Sequence, residues 1–441
     1  MTPAPHPPRA SILAGQLARL RALLAAVIPA NPFQTRKLGS CAGELGAVNS
    51  LAGFSRLAPF TSKQELVADQ LEHPPYGTNL TAAIASYTRC HQTSGTTGTP
   101  LRWLDTPESW AGMVENWMEV FRAAGLTRED KVLFAFSFGP FIGFWLAFEA
   151  AERLESLCLA GGGLSSPARL RLLLDHGATV LCCTPTYALR LAEVAVSEEI
   201  DMERSRVRLL VLAGEPGGSI PATRARLERL WRGARVFDHH GMTEVGPVTY
   251  QCPATPGRLH VIESAYYAEI IDPATGCAVP SGSTGELVLT TLGRTGSPLL
   301  RYRTGDLVRP RFDPASNAAP VCECGRGELA LDGGILGRVD DMVIVRGVNV
   351  FPSAVEEILR GFGEVAEYQV TLDQSEGLTE MAVRVEPNSL CSDLGGLVRR
   401  IEQSFQIGFS LRVPVLAVPP GSLPRFEMKA KRWVRMRGPS G

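Results

Sequence analysis

The chain has 441 residues, 45% of them hydrophobic and 20% charged, with 44 Lys and Arg against 45 Asp and Glu for a formal charge of −1. A chain of that length exceeds one ordinary core and predicts at least two domains. The near-zero charge removes any global attraction to nucleic acid or an anionic membrane, so an anionic ligand must be held by a local site.

The stretch 1–8 is rich in proline and has no apolar centre, so it does not read as a signal peptide. Residues 11–28 have helical apolar spacing. No run of about eighteen apolar residues is present, and no membrane span is expected. Pro59-Phe60-Thr61-Ser62 predicts a helix start, with Thr61 or Ser62 as cap and Glu65 in the first turn. The segment 93–100 is small and hydroxylic and must be a loop. Thr106-Pro107-Glu108 supplies cap, first-turn proline and first-turn acid to a helix whose Met113, Trp117, Val120 and Phe121 share one face. Strands then alternate with helices: strands at 131–136, 178–183, 207–213 and 234–237, helices at 166–177 and 221–231. Continuous apolar strands in such an order predict a parallel sheet covered on both faces, with ligands at the carboxyl ends of its strands. Short strands at 268–271, 285–290 and 299–303 predict a small antiparallel or barrel-like subdomain. The last hundred or so residues read as an α+β unit: helices at 353–359 and 393–404, strands at 367–372, 381–386 and 411–415. The expected fold class is thus α/β. A large N-terminal domain, 1–337, carries parallel sheets and the β subdomain, and a small mobile α+β domain, 338–441, follows. The ten cysteines are scattered, with Cys182 and Cys183 adjacent, and do not form a disulfide framework. A reducing cytoplasm fits them better.

Six motifs carry candidate chemistry. Thr93-Ser94-Gly95-Thr96-Thr97-Gly98-Thr99-Pro100 joins flexible backbone to hydroxyl donors, as a phosphate cradle needs, although a flexible linker has the same composition. It is not a Walker A loop, because the lysine and the spacing are missing. Gly214-Glu215-Pro216 and His239-His240-Gly241-Met242-Thr243-Glu244 each follow a strand. Glu244 suits a Mg²⁺ ligand beside phosphates, and the His240 ring could stack on a base; ordinary turns are the alternative. Asp306, in Arg301-Tyr302-Arg303-Thr304-Gly305-Asp306, could accept both hydroxyls of a ribose. Gly337-Arg338-Val339-Asp340-Asp341-Met342 lies at the expected domain junction, and Pro424-Arg425-Phe426-Glu427-Met428-Lys429-Ala430-Lys431-Arg432 near the end. Each alone reads as readily as an ordinary turn or a solvated side chain.

Together and in this order the motifs resemble the adenylate-forming superfamily of acyl-CoA ligases, luciferases and adenylation domains, and most of all the phenylacetate-CoA ligase family. The pieces PFTSKQEL, TSGTTGTP, YRTGDL and GRVDDMVIVRGVNVFP carry the likeness, which runs over 32–432. The resemblance implies that Thr93, Ser94, Gly95, Thr96, Thr97 and Gly98 hold the β,γ-phosphates of ATP. Gly214, Glu215 and Pro216 would line the adenine with His240 and Gly241. Thr243 and Glu244 would meet the α-phosphate and Mg²⁺. Asp306 would bind the ribose, Arg338 would stand near ribose and phosphate, and Asp340 would be the hinge. Lys429 would bridge the substrate carboxylate and the α-phosphate. Three positions depart from the family: Thr99 for a common lysine, His240 for the usual tyrosine, and Met428 for a frequent glycine.

The implied activity is ATP-dependent formation of an acyl-adenylate and acyl transfer to coenzyme A. The alternatives are a carrier-protein thiol or an amine as acceptor, or a nucleotide-binding regulator on the same fold. A regulator would be expected to lack Lys429 or Glu244, and both are present. Phe138, Phe141 and Trp145 suggest a flat apolar acyl pocket for an aryl or arylacetic acid, against a role in the core. Cys322 and Cys324, with Cys252 and His260 upstream, would complete a structural Zn²⁺ tetrahedron of a kind that similar proteins carry. Free buried cysteines are the other reading, and both stand here. The resemblance also suggests a homodimer.

Overall fold

The computed structural model describes residues 6–93, 99–311, 321–373, 379–427 and 429–436. Its centre is a five-stranded sheet ordered Leu157–Ala160, Lys131–Phe134, Val180–Cys183, Leu209–Leu212 and Arg235–Asp238. All four pairings are parallel. Side chains alternate between faces along each strand. Val132, Phe134, Val180, Val211 and Phe237 meet Trp117 and Phe121 of the helix Pro107–Ala124 on one side. Leu133, Leu181, Leu210 and Val236 meet helices Ser166–Asp175, Pro185–Ser197 and Pro221–Leu230 on the other. The expected doubly covered sheet is therefore present. The strand order turns back between Lys131–Phe134 and Val180–Cys183, which opens a crevice at their carboxyl ends.

Local sequence explains the helix starts. Ser62, not Thr61, caps Lys63–Glu72, in a capping box with Glu65. Thr61 is buried instead, and its hydroxyl donates to the Leu300 carbonyl at 2.7 Å. Thr106 caps Pro107–Ala124, and Gly125 in the left-handed region ends it.

An antiparallel sheet follows, in the order Tyr266–Ile271, Gly285–Thr291, Tyr302–Val308 and Gly337–Arg338. Beside it Thr249–Gln251, Arg258–Val261 and Ala330–Asp332 form a second one. The strand expected at 299–303 lies further on, because Leu299 is spent on the main core and Leu300 on the core around the N-terminal helix. That helix, Arg9–Val27, has a mean hydropathy of 1.4 and is long and apolar enough to cross a membrane. Here it packs Leu20, Leu23, Leu24 and Val27 against Phe54, Tyr267, Leu292 and Leu300. Its polar end is buried too, with Arg9 paired to Glu263 and Gln16 donating to the Tyr266 carbonyl at 2.7 Å.

The C-terminal unit has the strand order Val415–Ala417, Glu380–Pro387, Val365–Asp373 and Trp433–Met436. Helices Pro352–Arg360 and Leu394–Phe409 cover it with Val355, Leu359, Leu397, Ile401 and Phe405. The strand expected at 411–415 starts four residues later, at Val415, since Leu411 and Val413 fill the core ahead of it.

Candidate active site

The seam between the C-terminal unit and the carboxyl ends of the parallel strands gathers most of the candidate residues. Gly214 follows Leu209–Leu212 with φ +98°, a conformation glycine adopts freely. A β-carbon there would stand 3.8 Å from Cε of Lys429, so the lysine side chain passes directly over this loop. Glu215 does not point at open space. Its Oε1 accepts the Thr186 N–H at 2.8 Å and its Oε2 the Ala430 N–H at 3.0 Å. Burial pushes the Glu215 carboxyl up, opposed by these donors and by Arg432. Desolvation at the seam lowers the Lys429 ammonium from the ordinary 10.5, although Glu215 and Glu244 favour its charge and the residue as a whole stays exposed.

The strand Arg235–Asp238 delivers His239, His240, Gly241, Thr243 and Glu244. Glu244 is buried and its Oε1 accepts from the Tyr302 hydroxyl at 2.8 Å. The Thr243 carbonyl accepts from Arg294 Nη1 at 2.9 Å. Arg294 in turn forms two 2.6 Å bonds to buried Asp105, a bidentate pair that fixes this turn. His239 is buried against Trp117, and burial lowers its imidazole to about 3, which keeps it neutral.

Asp306 lies in Tyr302–Val308, four residues after Tyr302 and on the same face. His240 Nε2 is 3.0 Å from its Oδ2, and Arg338 Nη1 is 3.1 Å from its Oδ1. Burial would raise this carboxyl, but the charges and hydrogen bonds of His240 and Arg338 outweigh it and hold it below the usual range. Gly305 makes room for the pair: a β-carbon there would meet Arg338 Nη2 at 2.8 Å. Arg338 also donates to Asp340 at 2.9 Å, and Asp340 itself is exposed.

Thr93 closes the neck of the expected phosphate loop. Its N–H donates to the Leu101 carbonyl at 2.9 Å and its Oγ1 accepts from Leu101 N at 3.0 Å. Ser94, Gly95, Thr96, Thr97 and Gly98 lie outside the described residues, as does Met428. Pro216 and Gly214 are exposed at the seam.

Phe138 follows Lys131–Phe134 with φ +51° and packs edge-on against Phe136, Trp145 and Phe148, with ring centroids 5.7, 5.0 and 5.7 Å away. Trp145 is 37% exposed and donates to the Gly139 carbonyl at 3.1 Å. Phe141 is partly buried at the same strand end.

Away from the seam, Cys252, His260, Cys322 and Cys324 present ligand atoms all within 4.8 Å of one another. Cys252 and Cys322 sulfurs are 3.6 Å apart, and Cys324 Sγ is 3.4 Å from His260 Nε2. A tetrahedral zinc with Zn–S near 2.3 Å requires S···S of about 3.8 Å, so these donors fit that ion. Arg258 Nη1 lies 3.4 Å from Cys322 Sγ and offers a counter-charge to thiolates.

Arg432, the last residue of the Lys429 motif, and two residues outside any motif also hold the seam. Arg432 donates to Glu367 at 2.7 and 3.1 Å and to Thr186 at 3.4 Å, three positions after Lys429. Arg226 reaches the Val365 carbonyl at 2.6 Å, and Glu357 accepts the Ala222 N–H at 3.0 Å. Their contacts need the tertiary arrangement. For Tyr302 a sequence signal did exist, because the strand period sets it on the face of Asp306.

Two family models match the chain: the AMP-binding enzyme family over residues 84–293 and the AMP-binding enzyme C-terminal domain over residues 347–437. The phenylacetate-coenzyme A ligase of Pseudomonas putida is 33% identical over 431 residues, covering 94% of this chain and 92% of that one. A 2-hydroxyisobutyryl-CoA ligase in its postadenylation state, complexed with an acyl-AMP, superposes with a TM-score of 0.91 at 27% identity, over 99% of this chain and 94% of that one. The same ligase in its thioesterification state with CoA gives 0.71 at 28% identity, over 98% and 91%. The arrangement of the two units here is therefore similar to that of the postadenylation state.

Proposed function

This chain belongs to the adenylate-forming AMP-binding enzyme family that includes the phenylacetate-CoA ligases, and from that premise we propose that it activates a carboxylic acid, aryl or arylacetic in class, as an acyl-adenylate and passes the acyl group to coenzyme A. The observation that supports the reading best is the passage of Lys429 over Gly214 at the ends of the parallel strands, where the charges of Glu215, Glu244, Arg338 and Asp306 act on its ammonium. A carboxylate is a poor electrophile. Its attack on the α-phosphorus of ATP expels pyrophosphate and leaves a mixed anhydride with AMP as a good leaving group. Both reactants are anions, and the positive charge of Lys429 offsets their repulsion in the transition state. Asp306 would accept the ribose hydroxyls, Thr243 would meet the α-phosphate, and Thr93 would anchor the loop over the β,γ-phosphates. Gly214, Pro216, His240 and Gly241 would flank the adenine. Glu244 is the carboxylate suited to Mg²⁺, which supplies charge neutralisation at the phosphates.

The thiol step needs different surroundings. We assign 1–337 to the nucleotide and acid, and 338–441 to a unit that turns about Asp340 to exchange them. Phe138, Phe141 and Trp145 are assigned to the acyl pocket. Cys252, His260, Cys322 and Cys324 are assigned to a structural Zn²⁺, which would clip the turn at Cys322–Gly325 to the neighbouring strands. The unpaired thiols suit a reducing cytoplasm, and a homodimer follows from the family likeness alone.

Pyrophosphate exchange over a panel of carboxylic acids tests the first half-reaction, and thioester formation with free coenzyme A tests the second. Exchange without thioester, restored by a pantetheinylated protein or an amine, would move the acceptor away from coenzyme A. No exchange with any acid would refute the enzyme reading.

A further inference from the structure

We infer that His240 is a positioning residue for the ribose: its ring N–H orients the Asp306 carboxylate so that two lone pairs remain for a cis-diol. This rests on the ATP reading above and deepens it, because an aromatic ring at this position otherwise suggests only a platform for the base.

The geometry is a matter of counting acceptor sites. An ionised carboxylate offers about four lone-pair positions. One on Oδ2 faces His240 Nε2 at 3.0 Å, and one on Oδ1 faces Arg338 Nη1 at 3.1 Å. One position per oxygen is left over, which matches the two hydroxyls of a ribose. Two donors on opposite oxygens also fix the plane of the carboxylate, which a single donor would leave free to rotate about Cβ–Cγ.

His240 is held so that it can do this. Its N–H donates to Thr249 Oγ1 at 3.0 Å, and its carbonyl accepts from Val248 N at 2.9 Å and Thr249 N at 3.1 Å. The ring therefore swings from a fixed root. Nδ1 is buried with no hydrogen-bond partner among the described residues, so the bond to Asp306 is what orients the ring. Since Asp306 is an acceptor only, that bond requires the proton on Nε2.

The test separates the ring from its N–H. His240→Phe keeps an aromatic face and loses the donor; His240→Gln loses the face and keeps a donor near the place of Nε2. Pyrophosphate exchange is measured with ATP and with 2′-deoxyATP, which lacks one of the two hydroxyls. The wild-type protein should prefer ATP. His240→Phe should raise KM for ATP about tenfold, as loss of one hydrogen bond to a charged partner implies, with kcat little changed, and should shrink the preference for ATP. His240→Gln should keep most of that preference. If His240→Phe keeps the wild-type preference, the inference is overturned. Equal loss of the preference in both variants overturns it as well, because the ring rather than its N–H would then hold Asp306. A wild-type protein that exchanges pyrophosphate from neither nucleotide would instead fail the ATP reading itself.

Discussion

Glu215 and Ala430 are joined by a 3.0 Å hydrogen bond, from the Ala430 N–H to Glu215 Oε2, that crosses the seam one residue after Lys429. The other oxygen of the same carboxylate holds the first turn of Pro185–Ser197 through the Thr186 N–H. One side chain thus ties the lysine loop to the rim of the parallel sheet. Glu215→Ala should slow adenylation by about ten- to a hundredfold, the loss of one or two hydrogen bonds to a charged group. Conversion of a supplied acyl-adenylate should change far less. Single-turnover measurements from each starting point check this; equal slowing of both would remove the seam role.

Lys429→Ala should separate the half-reactions more sharply. With no cation between two anions, adenylation should fall on the order of a hundredfold or more, while supplied acyl-adenylate still yields thioester. Lys431 lies two residues on, and its substitution should cost little. Because desolvation lowers the Lys429 ammonium below 10.5, its charge is present below that lowered value and lost as pH rises through it. The alkaline limb of kcat/KM for ATP should therefore set in earlier than for an ordinary lysine, and Lys429→Arg should remove it. A limb unchanged in Lys429→Arg would assign it elsewhere.

Metal analysis of protein purified without chelator should find about one zinc per chain, the count of one tetrahedral site. Cys324→Ser should abolish it and lower the thermal midpoint by several degrees while leaving exchange activity measurable at low temperature. A metal-free wild-type protein of full stability would return the four residues to ordinary packing.

An arylacetic acid should exceed acetate in kcat/KM by well over tenfold, roughly the 1–3 kcal/mol that apolar pocket contacts supply. Phe138→Ala should narrow the gap. Equal specificity constants for the two acids would assign the aromatic cluster to the core alone.

Much of the fold was legible because local rules and tertiary needs agree. Ser62 and Glu65, Thr106 and Pro107, and the unbroken apolar runs at Val180–Cys183 and Leu209–Leu212 each announce their element. The strand Trp433–Met436 was not legible. It is added in parallel to Val365–Asp373 from more than sixty positions away, and its outer residues are exposed, so no apolar pattern marks it. At the site, the identities of Asp306, Arg338 and Lys429 stand in motifs, but the bond from His240 to Asp306 does not. It joins the end of one strand to the interior of another, which only the packing of the two sheets brings together. The double grip of Glu215 is likewise a property of the closed seam.

The N-terminal helix has a consequence for the order in which this protein can be completed. Arg9 pairs with Glu263, 254 positions away, and Gln16 reaches Tyr266. During synthesis at about 5–20 residues per second, the helix therefore waits roughly 10–50 s for its polar partners. Through that interval Leu20, Leu23, Leu24 and Val27 lack the covering of Tyr267, Leu292 and Leu300. An apolar stretch left open that long invites aggregation or capture by a chaperone, so the yield of folded protein should depend on this helix out of proportion to its distance from the chemistry.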